Sequence, residues 1–332
     1  MELIVPDYYH HFKCIASACP DSCCKEWAVD VDADSAARYR TLSGDLGDRL
    51  RQVLKDTDDG TIMAIEKGRC PMWREDGLCR IQAELGHDAL CQVCREFPRL
   101  RHDYGDFVEL GLELSCPEAA RLILSAETDA VTVTQLPGGE PSADPDALSI
   151  LRRSRKEALS FLESSVYPLP QTLAILLLYG HDVQAELDGD SPALLVPNAL
   201  LTEAAKYATN GDLPLMFAFF KELEILTPQW RVLLNKDTAK PAWNIEIRRF
   251  ARYLICRYWL QAMADYDLVC RVKFIISACI LVSHLGGSIV ETAQLFSKEI
   301  ENDPDNIDAI FDGTYSDPAF TDTQLLSLLL QP

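Results

Sequence analysis

Nine of the twelve cysteines in this 332-residue chain lie before residue 117, at Cys14, Cys19, Cys23, Cys24, Cys70, Cys79, Cys91, Cys94 and Cys116. Thiols this dense must be paired as disulfides, hold metal, or be buried singly as small apolar groups. The pattern runs C-x4-C-x3-C-C, then after 45 residues C-P-x7-C-x11-C-x2-C, and last C-P at Cys116. Cys91 and Cys94 can present two sulfurs within one turn. A tetrahedral metal or an iron–sulfur cube needs about four convergent thiolates, which makes the set a stronger signal than any pair within it.

Compartment decides between disulfide and metal. The start, MELIVPDYYHH, has neither the basic region nor the apolar run of a secretory signal, and the apolar stretch Phe274 to Leu285 reads as too short to span a bilayer. The expected protein is soluble and cytoplasmic, with no membrane partner, and cytosolic thiols are kept reduced. Metal then outranks disulfides. A net charge of −20 and a pI near 4.6 argue against nucleic acid, because phosphate backbones are bound by clustered Lys and Arg. Residues 1–125 carry 15 basic and 23 acidic side chains, so no basic module is hidden there.

The chain is expected to be mainly α: a cysteine-rich, irregular α+β region over 1–128, a linker over 129–146, and an all-helical region over 147–332. The linker is marked by the Pro, Gly, Ser and Asp of DAVTVTQLPGGEPSADPD. Beyond it, apolar residues recur at intervals of three and four, and several segments begin at Pro, which predicts seven or eight helices. Before it, the pattern predicts a helix over Ser35–Leu54 and short strands near 27–31, 61–65 and 107–114. Short helices are predicted near 88–97 and 117–125. Cys256, Cys270 and Cys279 sit in apolar helical runs and read as core.

Spacing alone does not choose between zinc and iron–sulfur. The thiol-only character leans toward iron–sulfur, since none of His10, His11, His87 and His102 stands where a zinc-finger histidine would. The steps do not match a ferredoxin run either, and Pro117 reads as a helix start. Adjacent Cys23 and Cys24 point apart in most backbone conformations, so one of them reads as a spare.

The blocks FKCIASACPDSCCKEW, GRCPMW, GLCRIQAELGHDALCQVCREFPR and LELSCPEAARLIL resemble the bacterial flagellin lysine-N-methylase family, and more distantly a broad group of zinc- or iron-chelating cysteine domains. The resemblance covers about residues 13–124. It departs in detail: Glu26 stands where the pattern has a small residue before Trp27, and Phe97 replaces another aromatic before Pro98. The resemblance implies methyl transfer from S-adenosylmethionine to lysines of flagellin, with a four-iron, four-sulfur cluster. The alternative reading is a non-enzymatic zinc- or iron-binding protein whose helical region, 147–332, recognises a partner.

No glycine-rich turn suits a donor nucleoside: QLPGGEP and HLGGSIV read as ordinary turns. A cluster held by three thiolates would leave one iron free for the donor's amino and carboxylate groups, and a deprotonated amine can attack a sulfonium methyl directly. Trp27, Trp73 and Phe97 are candidate faces for the sulfonium. Arg95 and Arg99 are candidates to grip a carboxylate. Glu96, Glu118 and Asp21 are candidate proton acceptors, among which the sequence names no general base.

Overall fold

A computed structural model describes residues 1–126, 130–139 and 142–331. The first part runs β1 (Glu2–Pro6), α1 (Asp7–His11), β2 (Val29–Val31), α2 (Ala33–Thr41), α3 (Gly44–Val53), β3 (Leu54–Thr57), β4 (Gly60–Met63), α4 (Arg80–Leu85), α5 (Gln92–Glu96), β5 (Arg99–Asp103), β6 (Phe107–Leu112), α6 (Pro117–Ser125) and β7 (Val131–Gln135). Helices follow: α7 (Pro145–Glu163), α8 (Leu169–Leu187), α9 (Pro197–Tyr207), α10 (Leu213–Glu222), α11 (Pro228–Leu234), α12 (Ile245–Tyr258), α13 (Leu268–Leu285), α14 (Ile289–Phe296), α15 (Pro304–Ser316) and α16 (Asp322–Leu330). The fold is mainly α, with short strands in its N-terminal part.

Side-chain caps explain where the later helices start. Asp144, Asp212, Thr227, Asn244, Asp267, Ser288, Asp303 and Thr321 each accept a hydrogen bond from a first-turn backbone N–H, worth about 1 kcal/mol apiece. Every residue of α13 is buried, because α8, α12 and α14 to α16 pack around it. α13 is long and apolar enough to cross a bilayer, contrary to the shorter span read from the sequence, and here it is the centre of a core. Gly180 lets α8 approach it: a Cβ there would lie 2.9 Å from a Val272 methyl.

The strands form two sheets. One has the order β5-β6-β1-β7, with β1 parallel to β6 and antiparallel to β7. The other is the antiparallel β2-β4-β3. Within 129–146, Val131–Gln135 pairs with β1 along its length, while residues 129, 140 and 141 of that stretch lie outside the described residues.

Apolar burial divides the molecule into a large core and a small one. Phe12, Phe107, Leu112, Leu114 and the buried face of α6 belong with the C-terminal helices in the large core. The small core lies within Val29–Cys91 and holds Tyr39, Leu50, Met63, Met72 and Ile81 together with Cys70 and Cys91.

Three local expectations need correction. The helix expected over Ser35–Leu54 is two helices, because Leu42 turns extended (ψ 137°) and Gly44 takes φ +79°. The helix expected near 88–97 shrinks to a single turn at His87–Ala89 and to α5, separated by an extended Leu90. The C-terminal part contains ten α-helices among the described residues, more than the seven or eight expected.

Candidate metal centre

Backbone hydrogen bonds bring the cysteine blocks together. A tight turn at Ala16–Ala18 sets Cys19, whose N–H donates to the Ala16 carbonyl at 3.0 Å. Asp21 and Ser22 then shape the next bend: Asp21 Oδ1 accepts from Ser22 N–H at 2.8 Å, and Ser22 Oγ accepts from Cys24 N–H at 3.1 Å. The Cys70 N–H donates to the Cys24 carbonyl at 2.7 Å and the Glu26 N–H to Gly68 at 3.1 Å, which lays the 66–70 turn against this loop. A bridge between Trp73 and Cys79 adds the third block.

The fourth block is fixed by Asp32. Its Oδ1 accepts from Ser35 N–H (2.9 Å) at the start of α2, and its Oδ2 from Gln92 N–H (2.7 Å) at the start of α5. The Gln92 N–H, more than any other group, holds the Asp32 carboxyl below its ordinary pKa. Tyr39 donates to the Ala89 carbonyl at 2.7 Å and Arg38 to the same oxygen at 2.9 Å, so the segment leading into Cys91 is tied from two side chains.

The result is a chain of thiols. Cys23 lies beside Cys24, Cys24 beside Cys70, and Cys91 beside Cys94, each pair close enough to shift the other's ionisation. Cys70 also contacts the Met63 sulfur at 3.4 Å. Cys14 and Cys116 act electrostatically on or with Cys19, Cys79 with Cys23 and Cys91, and Cys94 with Cys23 and Cys24. Each of the nine N-terminal cysteines therefore has at least one other of them as an electrostatic neighbour, which links the blocks pair by pair. Cys256, Cys270 and Cys279 stand outside this thiol network: Cys270 and Cys279 are buried in α13 and Cys256 is half-buried in α12.

These neighbours oppose one another's ionisation. A hydrogen bond from Cys94 brings Cys91 down to about 7, while the same bond pushes Cys94 up, so the pair gives up one proton readily and keeps the second. Cys23 donates to Cys24, which favours its thiolate, but the Cys70 bond, burial and the charges of Cys70 and Cys79 outweigh this and push Cys24 up to about 12. Burial raises Cys116 to about 12 and raises Cys79. A cation among such groups would reverse the penalty, because it pays for the thiolates it binds. The donor chemistry suits a thiophilic centre. The contacts are pairwise, and among the described residues no three His, Cys, Asp or Glu side chains are gathered into a metal-holding group.

The loop is anchored to the large core by a lysine that sequence reading passed over. Lys298 lies in a π-helical turn, Ser297–Glu301, with its side chain 1 % exposed. Its Nζ donates to Asp21 Oδ2 at 2.8 Å, pairs with Glu26 Oε2 at 2.5 Å and sits 5.1 Å from the Trp27 ring centroid. Gln294 adds hydrogen bonds to the Ser115 carbonyl (2.7 Å) and to Asp21 (3.4 Å). Glu26 takes φ +75°, a region that favours glycine, which accounts for the small residue in the resembling pattern. The ion pair to Lys298 offsets that strain. Glu26 was the one visible signal, as an oddity of the motif. On the same turn Glu301 accepts from Tyr253 and Tyr258 and pairs with Arg257 at 3.2 Å.

The other sequence-nominated residues are dispersed. Trp27 faces Lys298, and Trp73 carries Arg69 over its ring at 4.2 Å. Arg95 reaches the Leu90 carbonyl at 3.4 Å, whereas Arg99 lies 5.2 Å from the Phe12 ring centroid; the cis Phe97–Pro98 bond stands between them. Glu118 is engaged by Arg121 and Glu96 by Gln92, leaving Asp21 as the nominated acid beside the thiols.

No family model and no solved structure matches the chain. A protein of Salmonella muenchen named flagellar biosynthetic protein FliU is 36% identical over 135 residues, which is 39% of this chain and 79% of that protein. Two proteins named lysine-N-methylase, from Salmonella choleraesuis and Salmonella typhimurium, are 35% and 34% identical over 139 and 137 residues. Each match covers 39% of this chain, and it spans about a third of the lysine-N-methylases' own length (34%).

Proposed function

Because the chain belongs to the flagellin lysine-N-methylase family, we propose that it methylates lysine side chains of flagellin in the cytoplasm, with S-adenosylmethionine as donor and an iron–sulfur cluster held by its N-terminal cysteines. The observation that supports this reading most is that nine cysteines, spread over 102 positions of sequence, are linked pair by pair as electrostatic neighbours. Three of Cys23, Cys24, Cys70, Cys79, Cys91 and Cys94 would hold the cluster. When bound, a four-iron cluster with one iron open would supply a seat for the donor's amino and carboxylate groups.

The chain's own residues would do the rest. Cys91, already close to neutral pH in its ionisation, is the thiol readiest to enter as thiolate. Asp21 and Glu26 hold an ammonium group beside the thiols, and Trp27 offers it a ring face, which is the environment a lysine side chain requires. Lys298 fills that place and fixes the loop to the helices.

The test is anaerobic purification with iron, sulfide and zinc analysis and a visible spectrum, followed by transfer of labelled methyl groups to flagellin. Iron and sulfide near four per chain, brown colour and labelled flagellin are expected. Cys94→Ser should remove colour and transfer together. A colourless, zinc-replete protein that leaves flagellin unlabelled would replace this reading with a zinc-holding binding protein.

A further inference from the structure

A cavity of about 460 Å³ lies away from the thiols, walled by β1, β5, β6 and β7, by the end of α6, and by α7 and α12. Two helix faces meet across it. α7 contributes Arg152, Arg155 and Lys156, and α12 contributes Arg249, Arg252 and Arg257. Among the described residues these six cations face two carboxylates, Glu109 and Glu163, in a chain whose net charge is −20. Counting Glu2 and Glu301, which pair with Arg152 and Arg257 from outside the lining, an excess of two cations remains on this concave surface, whose low-dielectric walls focus the field.

Several of the cations are occupied. Arg155 clamps Glu109, Arg252 pairs with Glu163, Arg257 with Glu301 and Arg152 with Glu2 at 2.9 Å. Among the described residues, Arg249 donates only to the Leu124 carbonyl at 2.9 Å and Lys156 has no carboxylate partner. Opposite them, on β5, His102 lines the cavity with a buried Nε2 that has no hydrogen-bond partner among the described residues. Burial, and after it the charge of Arg257, keeps this imidazole neutral, so one of its nitrogens can donate. The remaining wall is apolar, from Ile4, Leu100, Leu110 and Leu159 among others. A volume in the range of roughly 300–1,000 Å³, apolar walls and a few convergent polar groups are the ordinary features of a small-molecule site.

We propose that this cavity binds an amphiphilic organic anion, its apolar body against Leu100, Leu110 and Leu159 and its carboxylate or phosphate head toward Arg249, Lys156 and His102. The site is distinct from the thiol centre and from its proposed methyl donor. S-adenosylmethionine carries an ammonium and a sulfonium against one carboxylate, and this lining opposes a net cation.

The experiment is calorimetric titration of the full chain with decanoate, decyl phosphate, decyltrimethylammonium and S-adenosylmethionine. Decanoate or decyl phosphate should bind, and the tighter of the two identifies the head group. Affinity should fall as salt rises. Decyltrimethylammonium should bind at least tenfold more weakly than the better anion, and S-adenosylmethionine should not compete with it. Charge reversal at Arg249→Glu with Lys156→Glu should weaken the anion at least tenfold. The milder Arg249→Gln, chosen to spare the fold, should weaken it at least threefold with an unchanged melting temperature in the absence of ligand. Equal binding of the cationic amphiphile, no binding of either anion, or an affinity unmoved by Arg249→Gln would each overturn the proposal. Since none of these titrations involves flagellin or metal, they stand or fall separately from the methylase reading.

Discussion

The two cores are held together by different means. The large one is a conventional apolar interior: α13 is buried on every side, its Phe274 packs at a tilt against Phe296, and Phe296 meets Phe250 edge to face. The small one has few large side chains. Its backbone is pinned by single hydrogen bonds, Cys70 to Cys24, Gln92 to Asp32 and Tyr39 to Ala89, and its remaining interior groups are thiols that resist joint ionisation. Apolar burial rewards the first core whatever else is present. The second would gain cohesion from a cation that satisfies its sulfurs, which is how small cysteine-rich regions commonly reach stability.

The sharpest way to break this contrast is to damage only the large core. Phe274 is fully buried, so Phe274→Ala should cost about 3–5 kcal/mol, the usual range for emptying an aromatic site. Denaturation followed by fluorescence separates the regions, because Trp230, Trp243 and Trp259 report on the helices while Trp27 and Trp73 report on the thiol loop. The expected outcome is a lower midpoint with metal content unchanged in native buffer. Loss of metal at equal folded fraction would show that the two cores are one unit.

Next in size is the tie between them. Lys298→Met leaves Glu26 without its cation and Asp21 with Lys25 alone at 3.9 Å; removing one member of a buried pair costs about 3–5 kcal/mol, and exposure of roughly a quarter on each carboxylate places this one near 3. Metal retention should fall here, unlike in Phe274→Ala. Adding Glu26→Gly to Lys298→Met should recover part of the loss, since glycine takes φ +75° freely and one orphaned charge is gone. If the double variant is no more stable than the single, the pair is not what holds the loop.

The sequence exposed the features that depend on local pattern. Pro117 after Cys116 marks the start of α6, and the apolar periodicity of 268–285 marks α13. The cysteine spacing announced convergence without saying which thiols would touch, because adjacency of Cys24 to Cys70 is set by one long-range backbone bond. Strand β1 was missed because its partners, Phe107 to Glu109 on one side and Val131 to Gln135 on the other, are more than a hundred residues away. Lys298 was illegible for the same reason: in LFSKEIE it reads as one polar residue on a helix, and only the fold sets Asp21 beside it. The cavity's cations lie on two helices well separated in sequence, and only the fold turns those faces of α7 and α12 toward one space.

The smallest expected effect concerns Asp32, which tests whether the small core rests on single hydrogen bonds. Its folded pKa is depressed, first by the Gln92 N–H and then by Ser35, so its contribution is present above the unfolded carboxylate pKa near 3.9 and is lost as pH falls through the lower folded value. At neutral pH, Asp32→Ala should cost about 1–2 kcal/mol, because one side chain caps two helices. Asp32→Asn keeps an acceptor and should cost less. The stability difference between wild type and Asp32→Asn should be constant from pH 7 to about 5 and shrink toward zero below about 4, where the wild-type carboxylate takes up its proton. Chemical denaturation of both proteins across that range measures it. A difference that persists unchanged at pH 3 would mean that the charge on Asp32 plays no part in holding Cys91 and Cys94 against the rest of the thiols, and that packing around Tyr39 places α5 unaided.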